Sequence, residues 1–289
     1  MIGVNLVSGN LNSYAKYLPE GAWLRLMLWW YKCQPEQDSE IILPDWSALE
    51  KYPKLIQIRC TPDWSRHNKG RICMLPHRDY WKNWVKFTFL VIEKYKPDII
   101  EIFNEADARS DQVSKAYALY IGCVGKSIKA GIKYAVFCNH VAQNIRWRYP
   151  NVKVAVGALL HDKSWRFITG MRMAFKPRLA DYISYHQYTY GAESAGLTRV
   201  LRKGQKLGSL FKKPILLTET SVLTSGGGGG ELHENRKADY LRRLRTAING
   251  TCIERADWFT LIGKWRNCGM MQDINYCPAY NEWLRGFAQ

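Results

Sequence analysis

Nowhere in its 289 residues does the sequence hold an uninterrupted apolar run of about 18, the length a membrane-spanning helix needs. A helical membrane span is therefore excluded. No Cys-x-x-Cys occurs among the eight cysteines, and no histidine and cysteine grouping has zinc-finger spacing, which speaks against structural zinc. No glycine-rich phosphate turn follows the first apolar run, and Gly125-Lys126-Ser127 lacks the upstream glycine of a P-loop, Tyr120 standing in its place. Acidic residues are scarce. Their 25 against 42 lysines and arginines leave a formal charge of +17, a field that favours anionic partners and says nothing of fold. Met1 leads into Ile2–Val7 without the basic start, long apolar stretch and cleavage site of a secretory signal. The expectation is a cytosolic chain, or else a mature, excised or phage-associated domain.

What is present has the balance of a folded globular protein, 47% hydrophobic and 23% charged. Short apolar, β-rich runs alternate with amphipathic stretches, the pattern of a parallel sheet covered by helices. Strands are expected at Ile2–Val7, Trp23–Trp29, Leu55–Cys60, Ile99–Asn104, Val152–Ala158, Tyr182–His186, Ile215–Thr218 and Trp258–Ile262. Between them the 3.6-residue period predicts helices over Tyr80–Tyr95, Ile132–Arg148, Ser164–Phe175, Leu197–Phe211, Glu231–Ile248 and Ala279–Phe287. Pro97, Pro150 and Pro214 each stand just before a strand, where a helix must already have ended. Eight strands in one chain of this length point to a (β/α)8 TIM barrel, because closure removes the edges that eight open parallel strands would leave. No repeat or linker divides residues 1–289, so a single domain is expected. The long fourth crossover leaves room for a rim helix at Gln112–Ile121, and Gly226–Gly230 reads as a flexible loop after the seventh strand.

Two features bear on partners and redox state. Leu197–Lys213 carries Arg199, Arg202, Lys203, Lys206, Lys212 and Lys213 with no acid, and the first four fall on one helical face, which reads as a solvated outer surface. The eight cysteines read as free and mostly buried thiols, although Cys60 with Cys73 and Cys268 with Cys277 can close if the compartment is oxidising.

In a barrel the carboxyl ends of the strands face the active site, so the polar residues found there are the candidates. The fourth strand ends Ile102-Phe103-Asn104-Glu105 and the seventh Leu216-Leu217-Thr218-Glu219, each delivering a carboxylate after an apolar run. Strands four and seven lie roughly across a barrel from one another, so Glu105 and Glu219 are expected to converge. Two carboxyl groups about 5 to 5.5 Å apart cleave a glycosidic bond with retention, one as nucleophile and one as acid and then base.

Asn104-Glu105 after the fourth strand, Glu219 after the seventh and His186-Gln187-Tyr188 after the sixth resemble the pattern of the clan A glycoside hydrolases. These are retaining (β/α)8 enzymes that include β-glycosidases, cellulases, mannanases and xylanases. The resemblance implies Glu105 as acid/base, Glu219 as nucleophile, and Asn104 as the partner of the sugar 2-hydroxyl. It implies that Arg25, on the second strand, pairs with and orients the nucleophile, and that Trp265, after the eighth, is the aromatic platform for the cleaved sugar. His186 and Tyr188, two residues apart and so on one face, can each hydrogen-bond Glu219. Trp64, in the loop after the third strand, is a further sugar-stacking candidate. Asn5 and His161, at the ends of the first and fifth strands, are lesser ones. Each of these residues also has a plain structural alternative, a capping amide, a salt bridge or an ordinary packed ring.

The expected activity is thus retaining O-glycoside hydrolysis of an oligo- or polysaccharide, acidic glycans included, with no metal or organic cofactor. Two other readings stay open, a glycan-binding barrel without turnover and a polyanion or nucleic-acid binder. Two converging carboxylates weigh against the first. The lack of a recognition motif and of aromatics interleaved with the basic stripe weighs against nucleic acid.

Overall fold

A computed structural model describes residues 1–7, 11–66, 74–107, 126–160, 164–190, 194–223, 231–259 and 278–287. Eight parallel strands close into a barrel: β1 (Ile2–Leu6), β2 (Leu24–Trp29), β3 (Lys54–Arg59), β4 (Ile99–Ile102), β5 (Lys153–Leu159), β6 (Tyr182–His186), β8 (Ile215–Thr220) and β10 (Ile253–Trp258). Around the barrel they run β1-β10-β8-β6-β5-β4-β3-β2. Two short strands, β7 (Thr189–Tyr190) and β9 (Val222–Leu223), form a separate parallel pair that periodicity does not reveal at two residues each. The helices are α1 (Trp30–Cys33), α2 (Trp81–Tyr95), α3 (Ile128–Arg148), α4 (Trp165–Ala174), α5 (Ser194–Phe211), α6 (Glu231–Ile248) and α7 (Pro278–Arg285). No described helix is long and apolar enough to cross a membrane. The Gln112–Ile121 segment and the Gly226–Gly230 run lie outside the described residues.

Seven strands fall within a few residues of the expected runs, and one does not. The eighth barrel strand is Ile253–Trp258, where the apolar run Trp258–Ile262 was expected. Its sequence alternates Glu254, Arg255 and Asp257 with apolar residues, which hides it from a hydrophobic scan. Arg255 and Asp257 are both buried and satisfy each other at 2.9 Å, with the guanidinium also lying over the Trp23 ring.

The chain packs as two units. One comprises Met1–Leu26, Ser47–Lys54 and Tyr185–Gln289. In it β1 pairs with β2 in the register Val4↔Leu24, Asn5↔Arg25, and with β10 through Ile2↔Ala256. Helix α7 is tied to the barrel where the indole N–H of fully buried Trp283 donates to the Ile2 carbonyl at 3.1 Å.

The other unit comprises Met27–Trp46 and Leu55–Ser184. Here β3, β4 and β5 are aligned as Leu55↔Ile99 and Ile100↔Val154. Their outer face is covered by an aromatic core in which Trp84 meets Trp30 and Phe137 edge-on, each at a centroid distance of 5.4 Å. Helices α3 and α4 approach until their backbones touch. A Cβ at Gly131 would stand 2.0 Å from the Phe167 carbonyl, and one at Gly170 equally close to that of Ile128, so both positions require glycine.

Four cysteines are described, and of these Cys33, Cys138 and Cys252 carry free thiols. Cys73, Cys123, Cys268 and Cys277 lie outside the described residues, and both candidate pairings lie there with them. Burial pushes the Cys33 thiol up to about 12 and raises that of Cys138 as well. Cys33 and Cys138 should consequently resist iodoacetamide in the native protein at pH 8 and react fully in guanidinium, as read by peptide mass spectrometry. Rapid native labelling of Cys138 would mean that the packed α3 face opens.

Candidate active site

Alternation along β8 sets out the first cluster. The Thr220 hydroxyl turns outward to within 3.0 Å of the Tyr240 hydroxyl on α6, so its neighbour Glu219 faces the opposite way. There Arg25 Nη1 donates to Glu219 Oε1 at 2.7 Å and to Asn5 Oδ1 at 2.7 Å. Asn5 is fixed in turn by donating Nδ2 to the backbone carbonyls of Thr218 and Trp258, at 3.0 and 3.2 Å. Arg25, Asn5 and His186 are fully buried and Glu219 nearly so. A guanidinium that is both charged and doubly anchored fixes the carboxylate in place and direction.

The sixth strand supplies the rest of this cluster. Tyr185 points out, its hydroxyl donating to the Val200 carbonyl at 2.8 Å, and His186 therefore points in. The Arg25 guanidinium can only donate, so His186 Nε2, 3.4 Å from Nη2, receives with its lone pair and the proton resides on Nδ1. That Nδ1 lies 3.5 Å from Glu219 Oε2, at the long end of a hydrogen bond. Two residues on, the Tyr188 hydroxyl donates to the same Oε2. With a guanidinium on one oxygen and a phenol on the other, Glu219 and His186 make a poor seat for a cation.

Lys203 belongs to the support of this strand end. The expectation placed it with Arg199, Arg202 and Lys206 on a solvated face, yet it is buried and donates Nζ to the His186 carbonyl at 3.0 Å. The reason is local: Gly204 brings α5 so close that an added Cβ would meet Ile253 and the Tyr185 hydroxyl, and the Lys203 ammonium stands over the Tyr185 ring, 5.4 Å from its centroid. Phe259, just past β10, is a residue the sequence reading missed. Its ring meets Tyr188 edge-on at 5.9 Å, and its N–H donates to Thr220 O at 2.8 Å. Trp265 and His161 fall outside the described residues.

The second cluster forms at the end of β4. Phe103 and Glu105 adopt left-handed backbone conformations, φ 70° and 43°, with Asn104 between them. Each such residue costs roughly 1–2 kcal/mol where it is not glycine. The strain is held by neighbouring strands on both sides. Phe103 N donates to Ile58 O at 2.9 Å and Glu105 N to Ala158 O at 3.1 Å, while Asp107 Oδ1 accepts Leu160 N at 2.9 Å. The turn of the backbone thus presents Asn104 and Glu105, 3% and 7% exposed, at the strand's carboxyl end. Gln57 on β3 donates Nε2 to Asn104 Oδ1 and to Glu101 Oε2, both at 2.8 Å. Neither Gln57 nor Glu101 was anticipated. The available signal was Glu101 inside the otherwise apolar Ile99–Ile102 and Gln57 set between Ile56 and Ile58.

Trp64 sits in a 3₁₀ turn after β3, half-buried, its indole N–H donating to Gln34 O at 3.3 Å and its ring edge-on to Trp30 and Tyr80. Those contacts give it a packing role.

No protein-family model and no curated protein matches the chain. Among solved structures it is similar to a GH128 (subgroup I) endo-β-1,3-glucanase from Amycolatopsis mediterranei in complex with laminarihexaose, with a TM-score of 0.60 at 15% identity over 98% of this chain and 97% of that one. It is also similar to an endo-β-1,4-mannanase from Thermotoga petrophila, with a TM-score of 0.61 at 13% identity over 99% of this chain and 76% of that one. A GH128 (subgroup III) curdlan-specific exo-β-1,3-glucanase from Blastomyces gilchristii, in complex with glucose, gives 0.54 at 13% over 90% and 89%. At these identities the likeness is one of fold.

Proposed function

We propose that the chain is a retaining O-glycoside hydrolase of the clan A kind, with Glu219 as nucleophile and Glu105 as acid and then base. The observation that carries the reading is the dressing of Glu219: a buried carboxylate at the end of the seventh barrel strand, gripped by Arg25 on one oxygen and Tyr188 on the other. Such a carboxylate is oriented as a nucleophile is. Glu105 and Glu219 each follow the carboxyl end of a strand of the parallel barrel, the strand ends from which barrel enzymes draw their catalytic residues.

In the first step Glu219 attacks the anomeric carbon while Glu105 protonates the departing oxygen, and a covalent glycosyl ester forms. In the second, Glu105 takes a proton from water, which attacks the same carbon and releases Glu219. Asn104 donates to the sugar 2-hydroxyl, a contact that strengthens as positive charge builds on the ring. No metal or organic cofactor enters this chemistry. Laminarihexaose and glucose in the neighbours' complexes support an oligosaccharide substrate of the β-glucan class. The charge of +17 keeps acidic glycans within the same proposal.

The test is a screen of β-1,3-glucan, β-mannan and uronic polysaccharides, with the first-formed product followed by proton NMR. Retention of anomeric configuration is expected. Inversion would place the two carboxyl groups about 6.5 to 9.5 Å apart with a water between them and overturn the roles assigned here. Saturable binding without product from any of these glycans would favour the reading as a binding barrel.

A further inference from the structure

The proposed mechanism gives no role to the fully buried pair Gln57 and Glu101, paired in register on β3 and β4. Gln57 Nε2 lies 2.8 Å from both Glu101 Oε2 and Asn104 Oδ1, and its own Oε1 has no hydrogen-bond partner among the described residues. An amide can be turned over to exchange its oxygen and nitrogen, so a reason is needed why this one leaves a buried acceptor unmet. A carboxylate only accepts, so Glu101 compels Gln57 to present its NH2. The same NH2 reaches Asn104, which must therefore answer with its oxygen. Nearby Tyr134 does not compete, since its hydroxyl donates to Ile102 O at 2.9 Å and accepts from Gly157 N at 2.9 Å.

We infer that Glu101 and Gln57 are positioning residues that set the polarity of the Asn104 amide, so that Asn104 offers N–H donors and not a carbonyl to whatever lies beyond it. The inference rests on the glycosidase reading for its consequence: a sugar hydroxyl has one proton, and where a carboxylate takes that proton a neighbouring amide must donate. Turned over, Asn104 competes for the proton in place of supporting the oxygen. The polar chain thus transmits the sign of a buried charge to the substrate contact, through two amides and no moving part.

A merely structural role and a polarity role separate in the exchanged variant Gln57→Glu with Glu101→Gln. The exchange keeps one carboxylate and one amide in the same volume, and Gln at position 101 can donate to Glu at position 57. But Glu at position 57 only accepts, so Asn104 must now turn its NH2 towards β3. Thermal stability should return close to wild type, while kcat/KM on a parent aryl glycoside stays down by about 10- to 100-fold. On the matching 2-deoxy glycoside, which lacks the hydroxyl, wild type and exchanged variant should agree within about threefold. The single variant Glu101→Gln, free to relax in either sense, should show a smaller loss with the same dependence on the 2-hydroxyl. Recovery of activity together with stability in the exchanged variant, or equal losses on the two substrates, overturns the inference.

Neutron diffraction of the wild type and the exchanged variant reads the Asn104 orientation without any substrate. An amide that stays put in the exchanged variant overturns the inference whatever the activity. Absence of turnover by the wild type would sink the glycosidase reading and leave the orientation result standing.

Discussion

Glu219→Ala should lose at least about 10⁴-fold in kcat/KM on every glycoside tested, whatever its leaving group, because no covalent route remains. Glu105→Ala should behave differently, and the difference is diagnostic. A dinitrophenolate departs without protonation, so the first step on a dinitrophenyl glycoside should keep its rate to within about tenfold, while the second step, deprived of its base, becomes slow. The mutant should then show a burst of phenolate equal to the enzyme present, followed by a low steady rate and a depressed KM. Azide needs no deprotonation, so adding it should restore turnover and yield a glycosyl azide of retained configuration. A phenyl glycoside, with its poorer leaving group, should show no burst. Equal losses in the two variants, indifferent to leaving group and to azide, would remove the division of labour proposed between them.

Much of the barrel is legible before any coordinates, for a physical reason. Strands buried on both faces read as continuous apolar runs, and β1, β3 and β8 are buried along their whole length. The same criterion fails where charge is buried in pairs. β10 carries Arg255 and Asp257 inside the protein, and the apolar run that follows it drew the expectation five residues downstream. Helix starts slip for a related reason. α3 begins at Ile128 because the Ser127 hydroxyl accepts Ala130 N at 3.1 Å, a signal carried by one side chain and not by periodicity.

The candidate site divides along the same line. Residues defined by their place at a strand end, Glu105, Glu219, Asn104, His186 and Tyr188, can be named from the sequence because position alone selects them. Residues defined by what they touch cannot. Asn5 reads as a lesser candidate in sequence, although it is the second anchor of Arg25. Lys203 was assigned to solvent because its neighbours in sequence are basic, and only the approach of α5 through Gly204 to Tyr185 shows that its ammonium has a carbonyl to reach. Gln57 and Glu101 are ordinary letters until the register of β3 against β4 sets them side by side.

Arg25 offers the test that needs no substrate at all. It is fully buried, and removing it leaves the Glu219 carboxylate in the interior beside the Tyr188 phenol and the His186 imidazole. Breaking a buried pair by deleting one partner typically costs about 3–5 kcal/mol, most of it from the charge left behind. Arg25→Met should therefore lower unfolding free energy in urea by about that amount. Glu219→Gln alone should also destabilise, since the guanidinium then lacks its counter-charge, though Asn5 still accepts from it. The double variant is the informative one. With both charges gone the site is an apolar and amide-lined pocket, and its loss should fall short of the sum of the single losses by about 2 kcal/mol or more, the coupling expected of groups in direct contact. Additivity within about 0.5 kcal/mol would show that Arg25 and Glu219 act independently in the folded protein. The 2.7 Å contact would then be no guide to what holds the nucleophile, and the proposed reaction would lose the feature that most sets Glu219 apart from an ordinary buried glutamate.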